Sequence, residues 1–426
     1  MYKALMLPQL AYDVLTTLAA GPGAAYLAAH PKYRPLLQRF APPMPEKLEE
    51  GPIWLQACSM GEVNAAKPIL QAMAARWPDV PRLLTTSTLS GWQKAETMAA
   101  EIPVTWFPFD HRLCVKGFLK RFAPRLLILL ETEVWPNVVR LSHHERVPAA
   151  IVNGRISDKH FARYRRLARL WRPVFASLSA ACVQNDEYAE RMRVLGAREA
   201  AVHVTGNTKF EGVRTEFPEA EIEALREQTG IPTEGRVLVF GSMRAGDEML
   251  AAECWAGLNA RYPDLRLVVV PRHLERVSEV CAAFDEPLLL RSETKAGRSL
   301  SGERVVVVDV MGELVAFYAM ASVAVIGGSF YPGVEGHNPL EPAALGVPTV
   351  FGPYMRNFID PAKALLENGG AVQTDAEHLQ ETLATLLSDP ETREHLGAKG
   401  RQAVLENQGA IARSLDILEP FLQVGN

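Results

Sequence analysis

At 426 residues the chain is too long for one compact core, and its 48% hydrophobic and 22% charged residues exclude a disordered chain. A formal net charge of −4 excludes a general nucleic-acid binder, so any contact with a polyanion has to come from a local basic patch. Cys58, Cys114, Cys182, Cys254 and Cys281 are odd in number and lack CxxC spacing, which reads as buried thiols in a reducing compartment rather than disulfides or a zinc site.

The chain opens with an apolar stretch interrupted by Pro8, Asp13 and Gly21-Pro22-Gly23, so neither half offers the roughly 20 clean apolar residues of a membrane span. Two readings stand side by side for residues 1–30: short amphipathic helices lying on a membrane surface, or a helical hairpin packed on its own domain.

Continuous apolar runs then alternate with helical stretches: IWLQA, RLLTTS, VTWF, RLLILL and AAIVN, followed after a gap by RVLVFG, LRLVVVP, RVVVVD, VAVIGG and PTVFG. Unbroken rather than alternating apolar strands predict parallel sheets covered on both faces, an α/β chain wound twice. The polar, proline-punctuated segment 211–235, with one helix, separates a first domain, 31–210, from a second, 236–400. Residues 401–426 read as terminal helices crossing back to the first domain. Ligands in open α/β sheets bind beyond the carboxyl ends of the strands, and two such domains facing each other would frame a cleft, so the polar residues after each strand are the candidates.

In the first domain SMGE puts Glu62 after Gly61 at a helix start. There it is either a first-turn glutamate stabilising its own helix or an ionised carboxylate that takes a proton from an attacking hydroxyl. In ETEVWPN, Glu131 and Glu133 alternate on an extended segment and so point the same way, as metal ligands, an acid and base, or partners for Arg and Lys. With no DxD-type cluster or His pair nearby, no essential metal is expected. GNTKF places Lys209 before the linker, to neutralise developing anionic charge or to cap a strand end. RYRRLARLWR, with five arginines and no acid, reads as one amphipathic helix, suited to anionic lipid head groups or solvated over a Leu/Trp stripe.

In the second domain Arg272 and His273 follow LRLVVVP and suit a phosphate, Glu341 in NPLEP suits a ribose diol, and Asn338 stands near a helix start with donors for an anion.

Taken in order, SMGE, ETEVWPN, GNTKF, PRHLER, VMGEL, GGSF and GHNPLEP resemble the motif series of the 3-deoxy-D-manno-octulosonic acid (Kdo) transferases of lipopolysaccharide inner-core synthesis, from about Lys32 to Phe358. The resemblance implies a GT-B fold with two Rossmann-like doubly wound domains, an acceptor domain and then a donor domain, facing a central cleft. It implies an inverting, metal-independent glycosyltransferase without a cofactor, moving Kdo from CMP-Kdo to a lipid A precursor on the cytoplasmic face of the bacterial inner membrane. On the matching positions Glu62 is the general base, and Glu131 and Lys209 support the transition state. Pro271, Arg272, Met311, Gly312, Glu313, Asn338, Pro339, Leu340 and Glu341 hold CMP. The chain departs from the family's usual residues at Gln56, in place of histidine, at Arg244 in Ser242–Glu248, also in place of histidine, and in the FYPGVEG loop. A GT-B enzyme using a UDP-sugar and a non-catalytic nucleotide- or lipid-binding member are the alternative readings.

Overall fold

The computed structural model describes residues 2–46, 48–131, 133–298 and 301–423, with the side chains of residues 2–6 and 423 left aside; Thr132 of the ETEVWPN motif lies outside the described residues. The chain forms two compact units, residues 1–211 together with 408–426, and residues 212–407.

The first unit is built on a seven-stranded parallel sheet: β1 (Ile53–Gln56), β2 (Arg82–Thr86), β3 (Val104–Trp106), β4 (Leu126–Leu130), β5 (Ala149–Gly154), β6 (Ala180–Val183) and β7 (Val202–Val204), in the order β3-β2-β1-β4-β5-β6-β7. The apolar runs are continuous because both faces are buried. Leu127 and Leu129 enter one core with Trp54 and Phe107, while Leu126, Ile128 and Leu130 enter the other with Ile69 and Leu415. The strand order reverses between β1 and β4, and their register pairs Gln56 with Leu129. The residues immediately beyond these two strands therefore share one crevice, where a doubly wound sheet binds its ligands.

The second unit repeats this plan with β8 (Val237–Met243), β9 (Arg266–Pro271), β10 (Leu288–Leu290), β11 (Val305–Val307), β12 (Val323–Ile326), β13 (Thr349–Phe351) and β14 (Ala371–Gln373), ordered β10-β11-β9-β8-β12-β13-β14. All its pairings are parallel, and the order reverses between β8 and β12. Helix Glu219–Thr229 belongs to this unit, and helix Ala410–Gln423 packs in the first.

Two expectations about helices are corrected. Tyr2–Ala29 is a single helix that runs through Pro8 and Pro22. Pro22 removes the donor to the Leu18 carbonyl, but Leu18 is exposed, so solvent can replace it. The helix is held by its polar side: Tyr12 Oη donates to Asp110 Oδ2 at 2.7 Å, Arg140 pairs with Asp13 at 2.9 Å, and Thr17 Oγ1 lies 3.2 Å from His111 Nε2. Leu7, Leu10, Val14 and Leu18, at helical spacing, are exposed on the other side. Among the described residues no helix is long and apolar enough to cross a membrane.

The arginine-rich stretch is two helices, Asp158–Arg166 and Ala168–Ala176, broken at Leu167. Tyr164 and Trp171 turn into the core, whereas Leu167 and all five arginines are exposed.

Candidate functional site

The first cluster stands at the switch point of the first sheet. Ser59 caps the helix Met60–Arg76, its Oγ accepting from the Glu62 N–H at 3.4 Å and donating to Glu62 Oε1 at 3.0 Å, while the Cys58 N–H donates to Oε2 at 2.8 Å. Glu62 thus closes the first turn much as a capping-box glutamate does, though it accepts from the Cys58 N–H rather than from that of the capping Ser59, so the helix-start reading of Glu62 is realised in the structure. Burial nevertheless raises its pKa to about 7; the Cys58 N–H opposes the rise, and the charges of Glu133 and Glu131 add to it. The dipole of the helix start does not keep this carboxylate at its ordinary acidity, because loss of water outweighs it. Gly61 does not serve a tight turn either. It has ordinary helical backbone, and a Cβ there would meet nothing closer than Ser59 Oγ at 3.8 Å.

The two glutamates of ETEVWPN take different partners, although the charges of both reach Glu62. Glu131 has a φ of 54°, which turns the chain at the end of β4 and sends its carboxylate to Arg155 Nε at 2.7 Å. Glu133 instead accepts from Trp135 Nε1 at 3.0 Å and joins Cys58 and Glu62, the donor atoms of all three lying within 4.8 Å of one another. That spacing could hold a metal ion, although burial pushes the Cys58 thiol up to about 12 and so keeps it protonated at neutral pH. Buried Arg39 supplies opposing charge: it donates to the carbonyls of Phe107 and Ser87 and experiences the fields of Cys58, Glu133 and Asp110.

Lys209 sits in the short turn Thr208–Phe210 just past β7. Asn207 Oδ1 accepts from the Lys209 N–H at 2.9 Å, and Asn153 Oδ1 at the end of β5 accepts from the Thr208 N–H at 3.0 Å. The neighbouring Val152 carbonyl accepts from the Glu131 N–H at 3.0 Å. Glu131 and the Lys209 turn are thus both tied to the end of β5.

The second cluster lies at the strand ends of the second sheet, around a cavity of about 470 Å³. Pro271, Arg272, Met311, Gly312, Asn338 and Glu341 line it, so six of the nine residues expected around a nucleotide come together. Ser242 and His337 border it as well. Asn338 Nδ2 donates to Glu341 Oε1 at 3.2 Å and its Oδ1 accepts from the Leu340 N–H at 3.1 Å; Leu340 and Pro339 are buried behind them. Burial raises the Glu341 pKa, with Asn338 and Arg272 opposing. The helix that follows, Leu340–Ala344, has only five residues, so the side chains rather than a helix terminus carry the polar chemistry here.

Glu313 is placed differently from the expectation. Its carboxylate bonds Arg291 Nε at 2.6 Å and Lys295 Nζ at 2.7 Å, and it borders a separate space rather than this cavity. Burial works against its charge, but the two cations outweigh that and hold the carboxyl below its usual range.

Sequence reasoning missed Glu133 as the neighbour of Glu62 and Arg155 as the partner of Glu131, because both depend on how the chain turns after β4, and it passed over Cys58, whose N–H meets Glu62 at the helix start. The letters G-H-N-P-L-E did contain His337, whose Nε2 is buried with no hydrogen-bond partner. Burial and the nearby Arg272, Arg244 and His273 lower its pKa to about 4, so the ring is neutral at neutral pH.

Residues 34–212 match the model of a family described as 3-deoxy-D-manno-octulosonic-acid transferase (kdotransferase). The chain is 30% identical over 380 residues to a 3-deoxy-D-manno-octulosonic acid transferase of Haemophilus influenzae, and 32% identical over 386 residues to one of Bordetella pertussis. In each case the alignment covers 87% of both chains. Among solved structures, a glycosyltransferase from Rickettsia africae ESF-5 aligns with 88% of this chain and 99% of its own at a TM-score of 0.56 and 10% identity, a likeness of fold. The two doubly wound α/β units are those of the GT-B class.

Proposed function

Because the chain belongs to the 3-deoxy-D-manno-octulosonic acid (Kdo) transferase family and is a glycosyltransferase, we propose that it moves Kdo from CMP-Kdo to a lipid A precursor of the lipid IVA type, with inversion and without a metal. The observation that carries the mechanism is Glu62, a carboxylate raised by burial to a pKa of about 7 at the switch point of the first sheet and clustered there with Cys58 and Glu133.

In this reading Glu62 takes the proton from an acceptor hydroxyl as its oxygen bonds to the anomeric carbon. The bond from that carbon to the phosphate oxygen breaks, and its electron pair leaves with CMP. A base whose pKa lies near the working pH suits this step, and such help is worth about 10²–10⁴-fold. Arg272 meets the phosphate charge, Asn338 and Glu341 take the nucleoside, and Glu131 with Lys209 supports the charge that develops around the acceptor. Pro271, Met311 and Gly312 shape the cavity.

The acceptor is a lipid, and the outward row of Leu7, Leu10, Val14 and Leu18 together with the exposed arginines from Arg163 to Arg172 suits an anionic bilayer surface. We place the protein on the cytoplasmic face of the inner membrane as a peripheral enzyme. Nucleotide-dependent melting tests the donor: CMP should raise the melting temperature and UDP should not. The reverse result would favour a UDP-sugar enzyme.

A further inference from the structure

We propose that Arg244 binds the carboxylate of the sugar-acid donor, as a specificity contact separate from the one that Arg272 makes to the phosphate. This rests on the donor reading above, because CMP-Kdo carries two anions, a phosphodiester and a sugar carboxylate, on the same anomeric carbon.

The sheet brings the two arginines together. β8 and β9 pair Met243 with Pro271, and the Arg272 N–H donates to the Met243 carbonyl at 2.9 Å, so Arg244 and Arg272 are the next residues along two neighbouring strand ends. On the other side of β8, β12 leads into Gly328, where a Cβ would stand 3.2 Å from Arg244 Cγ and 3.1 Å from His337 Cδ2. Val334 Cγ1 would stand closer still, at 2.7 Å, so the loop needs glycine to let valine, imidazole and arginine stem close on it, and its φ of 67° suits no branched residue.

The backbone is fixed as well. Asp247 Oδ2 accepts from both the Arg244 N–H and the Gly328 N–H, each at 2.7 Å, which ties the ends of β8 and β12 to one buried carboxylate. Arg244 Nη1 donates to His273 Nε2 at 2.5 Å, which aims the guanidinium and fixes the acceptor nitrogen of that ring.

Arg244 is half-buried and Arg272 is exposed, and among the described residues neither is paired with a carboxylate. Two such cations repel each other until anions arrive. Arg272 lines the 470 Å³ cavity and Arg244 does not. Arg244 stands just outside that cavity, beside His337 on its border, so in this assignment the phosphate meets Arg272 and the sugar carboxylate meets Arg244, whose planar fork matches a carboxylate. The family's usual histidine at this position is neutral at neutral pH and could not supply that permanent charge.

The test compares CMP with CMP-Kdo on the full-length protein. For Arg244→Ala we expect CMP affinity, by calorimetry, within about twofold of wild type, and a KM for CMP-Kdo about ten- to a hundredfold higher, the size of a lost charge-assisted bond. Arg244→Lys should recover part of the loss and Arg244→His less. Parallel loss of CMP affinity and donor KM would assign Arg244 to the phosphate instead and overturn the proposal, as would no change in either. Melting curves identify a variant that fails to fold, in which case Arg244→Lys alone decides, by the ratio of donor KM to CMP affinity. A wild-type protein that ignores CMP-Kdo removes the donor reading and this assignment together; one that uses CMP-Kdo but is indifferent to Arg244→Ala removes only the assignment.

Discussion

Glu62 and Glu133 bring their carboxylate oxygens within 4.8 Å of each other beyond the ends of β1 and β4, two strands made adjacent by the reversal of strand order. Like charges at this distance oppose joint ionisation, and together with burial they leave Glu62 with a pKa near neutrality.

Replacing Glu62 with glutamine keeps the size and polarity of the side chain but removes the base. Transfer should fall by about 10²–10⁴-fold while CMP binding, which we propose lies in the second unit, stays within about twofold. Initial rates and calorimetry check this. A variant that transferred at the wild-type rate would show that Glu62 is only a capping residue.

The pH dependence follows from the same geometry. The transfer rate should rise as Glu62 ionises and level off above a midpoint of about 7. Glu133→Gln removes one raising charge, so the midpoint should move to lower pH; a midpoint that stays put would mean the two carboxylates are not coupled. Stability runs the other way. Folded Glu62 and Asp247, raised to about 7 and about 6, hold protons more tightly than they do unfolded. Their contribution is complete below about pH 4 and is lost as the pH rises through these values. Melting temperature measured between pH 4 and 8 should show that decline, weaker in Glu62→Gln.

Cys58, Glu62 and Glu133 could bind a metal ion, yet the reaction proposed here asks nothing of one. Treatment with a chelator should leave the rate unchanged. Loss of activity that a divalent cation restores would assign this cluster to a metal instead.

Membrane contact should be separable from folding. Leu10→Gln, Val14→Gln and Leu18→Gln together alter only the outward side of the first helix, leaving Tyr12 on Asp110 and Asp13 on Arg140. Flotation with anionic vesicles should show weaker binding at an unchanged melting temperature. Binding equal to wild type would point to the arginines alone.

Much of the fold was legible because strands buried on both faces must be continuously apolar, as in RLLILL and LRLVVVP. β10 and β14 were missed because they are edge strands with half-buried or exposed residues, and β6 because AACV, rich in alanine, does not stand out as an apolar run. That polar residues after strand ends gather around one cavity in the second unit was readable from the sequence, but the position of Glu313 depended on Arg291 and Lys295, distant in sequence. At the base, the spacing of Glu131 and Glu133 suggested parallel side chains. The left-handed backbone at Glu131 instead gave them different partners, Arg155 and Trp135, a conformation an ordinary glutamate does not announce. The raised pKa of Glu62 was likewise hidden, since burial belongs to the fold rather than to the motif.

The most direct measurement is mass spectrometry of the lipid product after incubation with CMP-Kdo and a tetraacylated lipid A precursor, with Glu62→Gln run alongside. The account predicts a precursor heavier by one or more Kdo residues, CMP released in step, and almost no product from the variant. An unmodified lipid with the wild-type protein, or equal product from Glu62→Gln, would contradict it.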